Sequence, residues 1–395
     1  MRELVVIDKL NMGGVTSALL NYLEYSTRFY VIDLLVFGNV DDESLLPSNV
    51  NVLKAPKVLS LLGYSQKEVV EKSKVWAFFR GLMAASSKIL GGHYVRKFIF
   101  LFTRNIGDYD VAISYTHDVS WNALTTGCND YVLNKVRSKY KQAFVHCDFK
   151  LFGGYDSRIG HIYDKFNSIV CVSNGCRNSF IECFPYLKSK TVVGENFINI
   201  QKVYSASEPA VPYRDRKYKL VTVCRVEEQK GIFRIVDVAK KLKNEGYDFI
   251  WRIVGDGPDF QKIMEMVKGA DLDDVIEFSG RQNPPYRYIK GASFFVLPSY
   301  HEAAPMVFGE CRVLGVPILS TRTTSAEELL TERGLGCVCD NNTDALYESV
   351  KKIMDGIISF QGIDNTKIET TNEQAEKEFR AIYSIIKNKL KGDKS

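Results

Sequence analysis

"YKLVTVCRVEEQKGIFRIVDVAKKL", residues 218–242, carries a strand, a turn and a helix within 25 residues. The opening "YKLVTVCRV" is apolar and rich in β-branched residues, as a buried strand requires. "EEQKG" then supplies charge and a glycine to end it. From Ile232 onward, Ile232, Ile235, Val236, Ala239 and Leu242 recur at helical spacing and predict an amphipathic helix. A strand that reaches a helix after so short a turn is the first half of a βαβ unit, with the next strand running parallel. The same pattern continues downstream in "DFIWRIVGDG", "VIEFSG", "SFFVLPS" and "VPILST".

Upstream, the chain starts the series once before. "ELVVIDKL" reads as a strand, "NMGG" as a glycine turn, and Val15, Ala18, Leu19, Tyr22 and Leu23 as one face of a helix. "YVIDLLVF", "YDVAISY", "KQAFVHC" and "SIVCVS" follow as strands. Between the two series, 199–216 loses periodicity and gains proline and charge, which predicts a linker. "EKEFRAIYSIIKNKL" has Phe379, Ile382, Tyr383, Ile386 and Leu390 at helical spacing and reads as a docking helix. The fold expected is therefore α/β, with two Rossmann-like doubly wound domains facing across a cleft. Their bounds are 1–200 and 201–372, followed by a final docking helix over 373–395. Ligands of such sheets bind at the carboxyl ends of strands.

Bulk properties narrow the class. A chain of 395 residues is long for one core and suits two. No apolar run reaches the roughly 18–20 residues of a membrane span, and the start lacks the pattern of a signal peptide. The expected location is the cytoplasm. Nine cysteines at spacings that fit neither a disulfide framework nor zinc read as reduced thiols. Net charge is +5, unevenly spread: residues 1–200 carry 23 Lys+Arg against 18 Asp+Glu, whereas 201–395 carry 29 of each. Within 76–104, aromatic and aliphatic residues interleave with Arg80, Lys88, Arg96, Lys97 and Arg104. This segment reads either as a surface lying on an anionic membrane or as helices packed on a sheet with solvated lysines. No nucleic-acid motif accompanies the charge.

The chemistry concentrates in the second half. Arg225 ends a strand and Lys230 sits in the turn before a helix, a pairing suited to phosphate. "IVGDGPD" (253–259) offers a tight turn but lacks the third glycine of a dinucleotide fingerprint. "HEAAPMVFGE" (301–310) has a glutamate at either end of an uncharged stretch. Pro305 suits the first turn of a helix, which puts Glu302 on the loop and Glu310 inside the helix. The amides of Met306 and Val307 then face the ligand. Glu310 is placed to accept from a ribose diol and Glu302 to reach a sugar, while Ala303 and Ala304 leave room for backbone to approach it.

"RVEEQKG", "IVGDGPD", "VIEFSGRQNPPYRYIKGASFFVLPS" and E-x7-E, in that order and spacing, resemble the retaining nucleotide-sugar glycosyltransferases of family four. "AFVHCD" and "KFNSIVCVS" extend the resemblance over nearly the whole chain, and it is strongest to bacterial members that build capsules and other surface polysaccharides. The resemblance implies the GT-B fold and transfer of a sugar from a nucleotide-sugar, UDP on family frequency, with retained anomeric configuration and no metal or other cofactor. The acceptor it implies is a glycan, which the basic segment suggests is carried on a polyprenyl lipid, with the protein peripheral on the inner face of the plasma membrane. Carried over by residue, Arg225 and Lys230 would hold the diphosphate, Met306 and Val307 would offer it amides, and Glu310 would hold the ribose. Glu302 would contact the transferred sugar beside Ala304, Arg281 would lie near the nucleobase, and Gly13 and Gly14 would meet the diphosphate from the first domain. His146 would hydrogen-bond the sugar at the reacting centre.

His117 is a rival to His146, and Arg96 and Lys97 are further candidates on the acceptor side. The chain departs from the family at Glu302-Ala303-Ala304-Pro305, where an aromatic residue is usual at 304, and at Glu310-Cys311. "DLDD" (271–274) and "DYD" (108–110) match the D-x-D of metal-dependent transferases only superficially and read as solvated turns before strands. Two other functions stand beside transfer. One is a catalytically idle partner that stabilises another glycosyltransferase, which predicts lost site residues. The other is a glycoside hydrolase, for which paired carboxylates are the hallmark but which leaves Arg225 and Lys230 without purpose.

Overall fold

A computed structural model describes residues 1–392 except 12, 39, 41, 42, 119, 152–155 and 361–364. The chain forms two compact units, Met1–Phe197 with Ala375–Ser395, and Ile198–Gln374. Each is built on one parallel sheet.

In the first unit the strands are β1 (Arg2–Ile7), β2 (Val31–Val36), β3 (Val50–Leu53), β4 (Ile106–Ser114), β5 (Val136–Val145), β6 (Ser168–Cys171) and β7 (Thr191–Val193). They lie in the order β3-β2-β1-β4-β5-β6-β7, every pair parallel. Strands covered on both faces read as continuous apolar runs, and β1 and β2 are buried over all but their first residue. The helix Gly14–Ser26 lays Leu19, Tyr22 and Leu23 on this sheet. The last helix, Glu373–Gly392, adds Ala375, Phe379, Ile382, Tyr383 and Ile386 to the same core. One acid is enclosed there: Glu3 accepts from the hydroxyls of Tyr22 at 3.1 Å and Tyr383 at 3.2 Å. Burial holds its carboxyl up at about 7.

The second unit contains β8 (Tyr218–Val223), β9 (Phe249–Val254), β10 (Ile276–Phe278), β11 (Phe294–Leu297), β12 (Ile318–Thr321) and β13 (Gly336–Cys339), ordered β10-β9-β8-β11-β12-β13 and all parallel. The helix Ile232–Asn244 buries the five apolar positions that its spacing marked, against Leu220, Trp251 and Ile253 of the sheet.

Two local readings are corrected. Residues 199–216 are not all linker: Asn199 accepts from the Lys202 amide at 2.9 Å and caps a helix, Ile200–Ser205. "DYD" is not a turn before a strand but part of β4, where Asp110 accepts from the Arg2 amide at 3.0 Å and from Lys139 at 2.7 Å. Asp108 has φ 70° at a register shift in that strand, an irregularity that alternation of residue type does not reveal. "DLDD" does form a turn, with Lys243 2.7 Å from Asp274.

Candidate functional site

In the second sheet, β8 is followed by β9 and β10 on one side, and β11 by β12 and β13 on the other. The connections leaving β8 and β11 therefore diverge, and such a switch point opens a crevice beyond the strand ends. Arg225 and Lys230 leave β8 there, and Glu302 leaves β11.

The two connections are stitched together by backbone. The Tyr300 amide donates to the Gln229 carbonyl at 3.0 Å. Gly231, at φ 64°, lies so close to β11 that a Cβ would sit 1.9 Å from the Pro298 carbonyl oxygen, so only glycine fits. This contact sets Lys230 opposite Glu302: Nζ is 2.8 Å from Oε1, and Ser299 Oγ donates to the same oxygen at 2.7 Å. Both side chains are partly buried, 27% and 13% exposed. An ammonium has three donors, so Lys230 can hold this carboxylate and still offer N–H groups to an anion. Arg225 is different. Its side chain is 67% exposed, and Nε lies 3.4 Å from Glu227 Oε2. That leaves the guanidinium fork largely free for a ligand.

"IVGDGPD" supports this loop from below. At Gly255 a Cβ would lie 1.8 Å from the Cys224 carbonyl oxygen. The close approach lets Val226 donate to the Asp256 carbonyl at 3.1 Å and Asp259 accept from the Glu228 amide at 2.9 Å. The weak glycine motif is thus a brace for the loop that carries Arg225.

The helix Met306–Leu314 follows Glu302, with Pro305 at its cap position, one residue before the first turn in which it was expected. The Met306 and Val307 amides open the helix, where the ladder leaves N–H groups over, and their positive end favours anions. Glu310 lies one turn further on, its Oε1 3.5 Å from the Tyr286 hydroxyl. Burial raises this carboxyl to about 7, opposed by the tyrosine. Arg281 is exposed on the connection after β10, and Ala304 lies on the loop before Pro305.

The sequence reading missed the supports of the loop. Arg234 donates to the Pro298 carbonyl at 3.0 Å and to Asn341 Oδ1 at 2.7 Å, with its guanidinium 3.7 Å from the Tyr300 ring centre. Thr321 Oγ1 donates to the Ser299 carbonyl at 2.6 Å. Arg234 reads in sequence as one more surface cation of a helix, and its burial depends on contacts more than sixty residues away.

The first unit has its own switch point between β1 and β4. Thr116 bridges the two strand ends by donating to Asp8 at 2.8 Å. Gly13 and Gly14 lie after β1, with open space where a side chain would be, and His117 follows β4. His146, after β5, donates its amide to His117 Nδ1 at 3.3 Å, so that nitrogen carries no proton. Sequence posed the two histidines as rivals, and the structure makes them neighbours. Burial depresses His117 to about 4, and burial with the nearby His117 depresses His146 to about 3. Both rings are neutral at physiological pH. His146 Nε2 is buried without a partner among the described residues.

Arg96 does not belong with the acceptor-side candidates. It is fully buried, 2.7 Å from Asp130, and it also donates to the Ala123 carbonyl. Asp130 further holds His93 at 2.7 Å. Helical spacing turned Arg96 inward where the apolar-to-basic pattern alone left it on the surface. Lys97 is exposed on the next position. Among the described residues, no cluster of three or more His, Cys, Asp or Glu side chains has the arrangement of a metal site, and no helix is long and apolar enough to cross a membrane.

Residues 206–359, most of the second unit, match the family model described as "Glycosyl transferases group 1". The second unit is thus similar to the group 1 glycosyl transferases over most of its length. WcaL of Salmonella typhimurium, named for a glycosyltransferase of colanic acid biosynthesis, is 27% identical to this chain over 182 residues, 43% of the chain and 41% of WcaL. The 2-deoxystreptamine N-acetyl-D-glucosaminyltransferase of Niallia circulans is 31% identical over 109 residues, 27% of the chain and 28% of that protein. The chain thus spans less than half the length of these relatives. Over nearly its full length it shares the fold of Anabaena Alr3699/HepE, whose crystal structure is a complex with UDP-glucose, at a TM-score of 0.66, 13% identity, and coverage of 99% and 100%. The two Rossmann-like units are those of the GT-B fold. The stretch that matches the family model lies in the unit that holds Arg225, Lys230, Glu302 and Glu310.

Proposed function

We propose that the protein transfers a sugar from a nucleotide-sugar, in the first instance a UDP-sugar, to a lipid-carried glycan acceptor in the synthesis of a surface polysaccharide, with retained anomeric configuration. The observation that carries the reading is the Lys230–Glu302 pair at the switch point of the unit similar to the group 1 glycosyl transferases, with Arg225 beside it and unladdered amides behind it. The fold shared with a protein seen in complex with UDP-glucose supports the nucleotide.

On this reading Arg225, Lys230 and the Met306 and Val307 amides bind the diphosphate, and Glu310 accepts from the ribose hydroxyls. Glu302 is fixed by Lys230 and Ser299 so that its second oxygen meets the sugar. As the anomeric carbon–oxygen bond breaks, negative charge grows on the departing phosphate, and these groups neutralise it. Removing one such donor costs on the order of 3–4 kcal/mol of barrier. The acceptor oxygen bonds the anomeric carbon on the face the phosphate leaves, and its proton passes to a phosphate oxygen. Protein cations carry the charge in this scheme, and no metal takes part. His146, neutral and with Nε2 unpaired, donates or accepts a hydrogen bond and does not shuttle a proton. The reaction lies in the cytoplasm.

The test is incubation of the full chain with a panel of UDP- and GDP-sugars. A donor that raises the melting temperature and is consumed with an acceptor supports the reading, and NMR of the product gives the anomer. Lys230→Met should abolish both signals while the protein remains folded. Undiminished turnover in that variant refutes the site. Release of reducing sugar from an oligosaccharide without nucleotide favours a hydrolase instead.

A further inference from the structure

Residues 74–100 form two helices of the first unit, Lys74–Leu90 and Gly92–Phe100, packed on each other. Their buried sides mix apolar residues, Ala77, Val95, Ile99 and Phe100, with two arginines. The inward faces carry Arg80, which donates to the Leu61 carbonyl at 3.2 Å and to Gln66 at 2.9 Å, and Arg96 with His93 on Asp130. The outward faces carry apolar side chains. Phe78 is 70% exposed, Leu82 58%, Ile89 84% and Leu101 75%. Among the described residues, eleven of the twenty-two exposed large apolar side chains lie within 75–102. At about 100° per residue, Val75, Phe78, Phe79, Leu82, Ile89 and Leu90 fall within roughly 120° of one another on the first helix. A patch this concentrated is an interaction surface.

The charge around the patch identifies what covers it. From 72 to 107 the chain has no acidic residue, while Lys72, Lys74, Lys88, Lys97 and Arg104 are all exposed. Trp76 and Tyr94 are exposed as well, and such rings settle where hydrocarbon meets water. Apolar side chains interspersed with cations, on a segment that itself carries no acid, complement a bilayer bearing anionic headgroups: the hydrocarbon takes the side chains and the phosphates take the lysines. A second copy of the same face would set lysines against lysines.

We propose that the helices Lys74–Leu90 and Gly92–Phe100 form a monotopic docking surface for an anionic lipid bilayer, into which Phe78, Leu82, Ile89 and Leu101 insert. Glu3, Arg225 and the donor-site residues take no part, so the surface stands apart from the reaction assigned to the second unit.

The experiment is co-sedimentation of the full chain with vesicles of phosphatidylglycerol and phosphatidylethanolamine, and with phosphatidylcholine vesicles, in low and high salt. Binding at least tenfold tighter to the anionic vesicles, and weakened by salt, is the expected result. Phe78→Gln/Leu82→Gln/Ile89→Gln lowers that binding at least tenfold while thermal melting remains that of a folded chain. Lys74→Glu/Lys88→Glu, at exposed positions, gives a second variant with the same expectation. A parent chain that stays in the supernatant with both vesicles overturns the proposal, and so do variants that bind as the parent does. A dimer in light scattering that the apolar triple variant dissolves, without vesicle binding by the parent, overturns it in favour of a second copy.

Discussion

Glu310→Gln should make the second unit more stable and unable to hold its donor. The carboxyl is held at about 7 by burial, against an ordinary value of 4.5. Between those two values the folded state keeps a proton that the unfolded chain releases. Stability contributed by the neutral acid is therefore whole below pH 4.5, falls as pH rises, and is gone above pH 7. At 1.36 kcal/mol per pKa unit, the ionised Glu310 costs the free protein at most about 3 kcal/mol at pH 8. Glutamine keeps the shape, can face Tyr286, and never ionises. In scanning calorimetry the second-unit transition of the variant should coincide with the parent near pH 4.5. At pH 8 it should lie above by about 6–12 °C, at 2–4 °C per kcal/mol. A UDP-sugar, whose diphosphate does not titrate in this range, should raise the parent transition and leave the variant's unchanged. The reasoning is refuted if the variant melts below the parent at pH 8, or if their difference ignores pH. Glu3 is raised in the same way in the first unit, but it is present in both proteins and cancels.

Other substitutions separate binding from stability. Arg225→Ala should change stability by less than about 0.5 kcal/mol, because its ion pair is exposed, and should weaken donor binding at least tenfold in titration calorimetry. Gly231→Ala places a methyl against the Pro298 carbonyl at positive φ and should cost about 1–3 kcal/mol in denaturant unfolding, with donor binding lost as Lys230 shifts. His146→Gln should lower turnover at least a hundredfold with donor affinity unchanged. Because His146 is held neutral to about 3 while the unfolded ring protonates near 6.5, the parent loses first-unit stability as pH falls from about 6.5 toward 3. The variant should lose less over that range, as followed by circular dichroism.

Strand positions were legible because parallel strands buried on both faces leave unbroken apolar runs, and "ELVVIDKL" and "SFFVLPS" are such runs. The grouping of Arg225, Lys230 and Glu302 after β8 and β11 was legible because turn glycines, cations and glutamates are fixed to strand ends by short spacings. What spacing does not carry is which side of an element meets the core. The helices over 74–100 have a strong period, but nothing local says that Arg80 and Arg96 turn inward while Phe78, Phe79 and Phe98 turn outward; Asp130, more than thirty residues away, decides it for Arg96. Arg234 and Asn341, which hold the Glu302 loop, were hidden for the same reason. The capped helix Ile200–Ser205 was missed because one and a half turns are too few for a period to register, and only Asn199 marked its start.

The helix Glu373–Gly392 belongs to the first unit although the whole second unit is written before it. During synthesis, therefore, the earlier-made sheet waits with Tyr22, Phe144 and Phe197 uncovered while some 180 further residues leave the ribosome. The order of manufacture and the order of completion are inverted: the half made last can finish first, and the amino-terminal core closes only when the final helix arrives.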